Sequence, residues 1–295
     1  MSKHPGGVNT LIGYNHKNIE DRFKGIDHSP AAEYLLNDYK MKNRPEEFNN
    51  NLDDSMEHLV DWNKGLLNQI TNLGDRYTDW VNKPLDRRLK LFDNNFLESL
   101  TKTPWYMPLL FWIPILLFLI VEESTTYTYS NSAIFLHVTA GVILWTILEY
   151  TLHRFLFHMN VKKHPKWATF HFMIHGLHHK VPFDENRLVF PPFPAAILAT
   201  ALYQPIKFLI STAGLDWINP RLVLSGALVG YLVYDMIHYY LHHGSPRIKY
   251  FYNLKRYHHN HHFVNHDTGF GISSTAWDSV LGTKIILKKL KYLMK

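Results

Sequence analysis

Apolar positions are distributed unevenly along the chain. Residues 1–100 are mostly polar. Within them Leu59, Val60, Leu66, Leu67, Ile70 and Leu73 recur at near-helical spacing and predict an amphipathic helix, after the turn-rich break "NNNLDD" at Asn49 to Asp54. Four long apolar runs follow. They are "PWYMPLLFWIPILLFLIV" (Pro104 to Val121), "AIFLHVTAGVILWTILEYTL" (Ala133 to Leu152), a third from Phe193 to Gly214 and a fourth from Leu222 to Leu241. A helix needs about 20 residues to cross a bilayer core, and all four runs are near that length. Pro205 and Lys207 interrupt the third run, which predicts a kinked or partly interfacial helix. Four buried core helices of a soluble protein are the alternative, but such helices seldom reach spanning length.

The connections between the runs differ in charge. "EESTTYTYSNS", Glu122 to Ser132, and "LDWIN", Leu215 to Asn219, contain no Lys or Arg. The stretch from His153 to Pro192 carries Arg154, Lys162, Lys163, Lys166, Lys180 and Arg187, and the tail after His242 carries nine more against Asp267 and Asp278 alone. Cytoplasmic loops of membrane proteins are enriched in Lys and Arg. The expected topology therefore places both termini and the loop after the second run in the cytosol, with two short hairpins on the far side. Residues 1–20 are polar, and no signal peptide is expected there.

Composition narrows the chemistry. The chain has 295 residues, an excess of 6 positive charges and no cysteine. Disulfides, thiolate metal sites and cysteine nucleophiles are excluded. So small a basic excess fits cytoplasmic loops and does not call for a nucleic acid partner.

Histidine is the unusual residue: 15 of the 20 lie between His153 and His266. "HRFLFH" supplies His153 and His158, "HFMIHGLHH" His171, His175, His178 and His179, "DMIHYYLHH" His238, His242 and His243, and "YHHNHH" His258, His259, His261 and His262. Residues at i, i+3 and i+4 share a helix face. His175, His178 and His179 have that spacing, as do His258, His261 and His262, while His238 and His242 are an i, i+4 pair. Helix-borne histidines at such spacing are a metal-ligand pattern. His153 and His158 are five apart and diverge on an ideal helix, which leaves them serving two metals or lying where the helix ends. The topology brings all four groups to one cytosolic surface. On "HHNHH" the expectation is that His258, His261 and His262 face the metal, with His259 and Asn260 turned away at the surface. His171, His243 and His259 are ambiguous, and His16, His58, His137, His164 and His266 read as isolated residues.

Ten spaced imidazoles exceed the four ligands of a structural zinc and suggest two ions with about five each. Imidazole suits iron, zinc or copper, and a crowded site with an open position favours a redox metal. Glu149, four before His153, and Asp235, three before His238, read as acceptors that orient an imidazole N–H, with Asp235 as a direct ligand the alternative. Transporters place ionisable groups along a pathway inside the spanning segments. Here those interiors are nearly bare apart from His137, Glu149, Lys207 and Asp235, which argues against transport.

The histidine pattern resembles the fatty acid hydroxylase superfamily of membrane di-metal oxygenases. "HRFLFHMN", "HGLHHKVPFDENRLVFPP", "YDMIHYYLHH" and "GFGISSTAWDSVLGT" narrow the likeness to fatty acid 2-hydroxylases, and "LVDWNKGLL", "YTDWVNKPLDR" and "LESLTKTPWY" extend it through the linker. The resemblance implies a mostly α, integral membrane protein with about four transmembrane helices and a cytosolic, helical, His-rich cap. It implies O2-dependent hydroxylation at carbon 2 of long acyl chains, free or in ceramides, at the endoplasmic reticulum. Two metal ions would serve, iron for catalysis and zinc as an occupant of isolated protein, held by the ten spaced histidines. Electrons would come from cytochrome b5 and its NAD(P)H-dependent reductase. A sterol-modifying oxidase or acyl desaturase of the wider histidine-box group is the second reading.

The N-terminus resembles cytochrome b5. "HPGG", His4 to Gly7, is that family's signature around one axial haem histidine, and His28 lies at the family's spacing to the second. A cytochrome b5 domain has strands and a helix before its first axial histidine, whereas three residues precede His4. The expectation is a truncated remnant at 1–45 that binds haem poorly, a linker at 46–103 and a membrane hydroxylase domain at 104–295.

Overall fold

The computed structural model describes residues 56–127, 129–162 and 165–287, together with Phe23, Gly25 and His28. His4, His16 and His164, and with them most of the cytochrome b5-like segment, lie outside the described residues. His28 places Nδ1 3.0 Å from the Phe23 carbonyl and stacks on the Phe23 ring.

Among the described residues the secondary structure is helical, without a β-strand. The helices are α1 (Tyr77–Val81), α2 (Asn95–Leu100), α3 (Met107–Thr126), α4 (Asn131–Thr151), α5 (Ala168–His171), α6 (Leu177–Lys180), α7 (Pro192–Thr212), α8 (Pro220–His243), α9 (Lys249–Phe263) and α10 (Ala276–Val280). Four helices are long and apolar enough to cross a membrane: α3, α4 with its extension to Phe157, α7 and α8. α7 runs unbroken with Pro205 inside it. Spanning helices tolerate proline where neighbours re-satisfy the backbone. α8 is the central one, since 56% of its apolar window is buried against 6–17% for the other three. Leu110, Leu117, Phe118, Phe135, Ile143 and Phe208 are left exposed on the outer helices. A contiguous apolar exterior of that extent marks a lipid-facing surface.

Close packing of α4 on α8 depends on two glycines. A Cβ on Gly141 would strike the Val223 carbonyl, and one on Gly226 would strike the Val138 carbonyl. Small residues let spanning helices approach closely where lipid tails leave no hydrophobic drive for association. At one end of the bundle Arg221 donates to Glu122 and to the buried Glu123, while Asn219 donates to Glu123, tying α8 to α3. The histidines gather at the other end.

The predicted amphipathic helix is not one α-helix. Leu67–Arg76 is a tight 3-10 stretch broken at Gly74, whose φ of 51° is left-handed, and Leu59 and Val60 lie before it. The apolar pattern nonetheless reports burial correctly. Val60, Leu66, Ile70 and Leu73 form one core with Tyr77, Trp80, Val161, Phe172 and Leu177. The linker is thereby packed against the segment that carries the second histidine group. Lys180, counted above as a loop charge, is buried instead: its ammonium donates to the Trp80 and Lys83 carbonyls, both at 2.8 Å, and burial pushes it down to about 7. Tyr77 Oη meets His171 Nδ1 at 2.6 Å, in space that any side chain on Gly176 would take.

Two outcomes are expected. Gly226→Val should lower thermal stability by about 1–3 kcal/mol or more, because the clash is with backbone that has no rotamer to change. Melting of purified protein in detergent measures this. Burial also pushes His171 down to about 4. Between that value and about 6.5 the unfolded chain binds more protons, so the contribution is whole above pH 6.5 and is lost as pH falls toward 4. It amounts to about 3 kcal/mol. Melting temperature should therefore fall less steeply from pH 7 to 4 in His171→Asn protein than in the parent.

Candidate metal centre

The ten spaced histidines converge in two groups of five. His153, His158, His175, His179 and His261 form group one; His178, His238, His242, His258 and His262 form group two. Within each, one nitrogen from every ring lies within 4.8 Å of all the others. All are buried except His158, which is half-buried.

Helix geometry explains the sorting. α4 ends in a π-turn, Leu152–Phe157, in which the His158 N–H reaches the His153 carbonyl at 3.0 Å. The wide turn places residues five apart over one another, so His153 and His158 serve the same group and do not diverge. π-turns are rare and concentrate at functional sites. A second one, Phe172–Gly176, leads into α6. On α9 the three spaced histidines do not share a target: His258 and His262 join group two and His261 joins group one. At 100° per residue, i and i+4 are about 40° apart, while i+3 lies about 60° to the other side of i. The second histidine segment is sorted in reverse, with His175 and His179 in group one and His178 in group two. α8 supplies the i, i+4 pair His238 and His242 to group two.

The nitrogens are too crowded to satisfy one another. His258 Nε2 lies 3.1, 2.8 and 3.0 Å from the Nε2 atoms of His238, His242 and His262. In group one His175 Nε2 lies 3.1 Å from His153 Nε2 and 3.2 Å from His158 Nε2, and His261 Nε2 lies 3.0 Å from His158 Nε2. A neutral imidazole nitrogen offers one proton or one lone pair, so hydrogen bonding cannot serve three neighbours. One shared cation can. Burial, then neighbouring imidazoles, holds His175, His178, His179, His258 and His262 well below the usual histidine range. They are neutral near pH 7, the form that binds metal. The donor set therefore fits two metal ions.

The carboxylates take other roles than those expected. Glu149 contacts no imidazole: it accepts from the Ile272 and Ser273 N–H groups at 2.9 and 2.7 Å and from the Ser273 hydroxyl. Asp235 accepts from Phe190 N and Tyr231 Oη, both at 3.3 Å, and is neither ligand nor imidazole partner. Spacing of i, i+4 or i, i+3 fixes a face but not which of several neighbours a carboxylate meets. The imidazole N–H acceptors that are present are backbone carbonyls: Phe270 O for His153 Nδ1 at 2.6 Å and Thr268 O for His261 Nδ1 at 2.8 Å. Spacing gave no sign of them, although Phe270 lies in the motif "GFGISSTAWDSVLGT" and Thr268 immediately precedes it.

The remaining histidines stand apart from both groups. His171 meets Tyr77, His243 and His58 are exposed, His137 bonds the Ala133 and Trp217 carbonyls, and His266 lies near Asp267. His259 and Asn260 turn away from the nitrogens as expected, but they are buried and not at the surface: His259 Nε2 meets the Leu241 carbonyl and the Asn260 amide donates to Arg256 O.

A model of the fatty acid hydroxylase family matches residues 138–283, which contain both histidine groups. The chain is 43% identical to a dihydroceramide fatty acyl 2-hydroxylase, FAH2, of Arabidopsis thaliana over 77% of this chain and 93% of that one. The chain belongs to the fatty acid hydroxylase family. It is also 40% identical to the fatty acid 2-hydroxylase of Macaca fascicularis, across 77% of this chain and 65% of the macaque protein, so the likeness spans just under two thirds of that relative. A solved structure described as full-length scs7p with only the hydroxylase domain visible superposes with a TM-score of 0.66 at 32% identity, covering 90% of this chain and 98% of that chain.

Adjacent histidines in this chain should behave differently. His258→Ala should reduce bound metal to about one ion per chain. His259→Ala should keep the full metal content and lower stability by about 1–3 kcal/mol, the penalty for an unpaired buried carbonyl. Elemental analysis and melting of the purified variants separate the two effects.

Proposed function

We propose that the chain hydroxylates carbon 2 of long acyl chains, as free acids or within ceramide-type lipids, with dioxygen as co-substrate. One observation carries the reading. A cleft of about 660 Å³ is walled by His175 of group one and by His178 and His238 of group two, beside helices long and apolar enough to span a bilayer. That volume lies in the range of small-ligand pockets. Relatives named for 2-hydroxylation of fatty acids and dihydroceramides support the position on the chain.

Redox-active ions, for which iron suits the all-imidazole donor set, would supply dioxygen activation and the attack on the carbon–hydrogen bond. The chain's own part is placement. Phe157, Leu188, Val189 and Phe190 give the cleft apolar walls that hold an acyl chain and exclude water. Phe157, Phe190 and Tyr234 also border a narrower apolar pocket of about 100 Å³ between α3, α4, α7 and α8, a place for the acyl tail. One rim is fixed by the buried Arg187, which donates to Glu98 and to Thr101 Oγ1, and by Thr103 N–H on the Asn186 carbonyl at 2.7 Å. Tyr234 stacks near His238 with ring centroids 5.8 Å apart and so limits that ligand's rotation.

The basic stretches at the histidine end support a cytosolic site on the endoplasmic reticulum membrane, within reach of cytochrome b5 and its NAD(P)H-dependent reductase. Expression in cells lacking 2-hydroxylated sphingolipids tests the function. Lipid mass spectrometry should show 2-hydroxy acyl product with the parent chain, and a loss of about 100-fold or more with His175→Ala or His258→Ala at matched protein level. Product hydroxylated elsewhere, or a modified sterol, would reject carbon-2 chemistry.

A further inference from the structure

The two groups are equal in ligand number but not in what holds their rings. In group one, His153 and His261 each donate Nδ1–H to a backbone carbonyl, Phe270 O and Thr268 O. The Nδ1 atoms of three group-two rings, His242, His258 and His262, are buried and have no hydrogen-bond partner among the described residues, against one in group one, His179. The acceptors for group one come from a single segment, 268–273, and two buried carboxylates fix it. Asp278 accepts from the Phe270 and Gly271 N–H groups, both at 2.8 Å, and from Thr283 Oγ1 at 2.7 Å. Glu149 of α4 accepts from Ile272 N, Ser273 N and the Ser273 hydroxyl. Gly269 lies between the two carbonyl-bearing residues with φ of 77°, and its own N–H bonds the Thr283 carbonyl at 2.8 Å. On Gly271 a Cβ would press on the Ser274 carbonyl and on Asp278. These contacts account for most of the motif "GFGISSTAWDSVLGT".

We propose that segment 268–273 is a backbone clamp for group one alone, with Glu149 and Asp278 as its positioning residues, so that the two ions are held unequally. The clamp fixes ring orientation and the Nδ1–H tautomer, leaving Nε2 free to bind. Group two has no such clamp, so fewer of its rings are held in a fixed tautomer before its ion binds. Orienting partners of this kind typically change metal affinity by about 10–100-fold. Group one therefore retains its ion when group two has released its own. The inference rests on the metal-centre reading of the two groups.

The test is stepwise chelation of full-length protein in detergent, loaded with zinc(II), with metal per chain measured after each step. The parent should start near two ions and lose them in two steps separated by about tenfold or more in chelator. His258→Ala protein should retain the late-released ion, and His261→Ala protein only an early-released one. Asp278→Asn and Glu149→Gln should move the late step earlier by about 10–100-fold and leave the early step in place. Ser273→Ala, which keeps both backbone bonds to Glu149, should give a smaller shift. A merely structural defect would move both steps together. Loss of both ions in one step from the parent, or assignment of the late ion to group two, would overturn the clamp. Protein that binds no zinc at all would instead reject the metal centre. The parent and the two histidine variants decide the matter even where a carboxylate variant fails to fold.

Discussion

The arrangement depends on one electrostatic constraint. Ten imidazoles lie in two clusters, and nine of them have another ring's nitrogen 2.8–3.2 Å away. Neutral rings so placed cannot satisfy one another, and charged rings would repel. Only a bound cation makes the arrangement favourable, so the fold must hold the rings together before the ion arrives. The surrounding structure serves that end. Glycine contacts between α4 and α8 fix the helices that carry His153, His238 and His242. The linker core and the buried Lys180 fix the segment that carries His175, His178 and His179.

The same packing couples the centre to the bilayer. α4 and α8 are spanning-length helices that carry ligands at one end, α4 in the π-turn that follows it and α8 in its last turns, so the ions would lie at that end of the apolar bundle. The cleft that reaches both groups shares Phe157, Phe190 and Tyr234 with the pocket among the spanning helices. Under the proposed clamp one group would be the more rigid and the other the more adaptable, with His178 and His238 of the latter lining the cleft.

Much of this was legible in the chain because its signals are local. Spanning length, loop charge and the recurrence of histidine at three and four residues depend only on helix period and composition. They marked four helices within a few residues of their observed ends and picked out ten histidines that the structure gathers into two groups of five. Burial of Leu66, Ile70 and Leu73 was likewise readable from apolar spacing, even though the backbone there is 3-10 and broken at Gly74.

Contacts between segments distant in sequence were decided only by the tertiary structure. Spacing put His258, His261 and His262 on one face, but which side of a ring cluster each occupies depends on where α6 and α8 lie against α9. The π-turn that unites His153 with His158 is a departure from the regular period on which spacing arguments rest. Glu149 and Asp235 had the spacing of imidazole partners, yet each found nearer donors, in Ser273 and Ile272 and in Tyr231 and Phe190. The carbonyls that do receive imidazole protons belong to the backbone, which carries no residue-type signal at all. The sequence by itself determined which residues could bind metal and at which end of the helices they would lie. How they divide between two ions, and what orients them, followed from packing, because a face on a helix acquires a role only from what is placed against it.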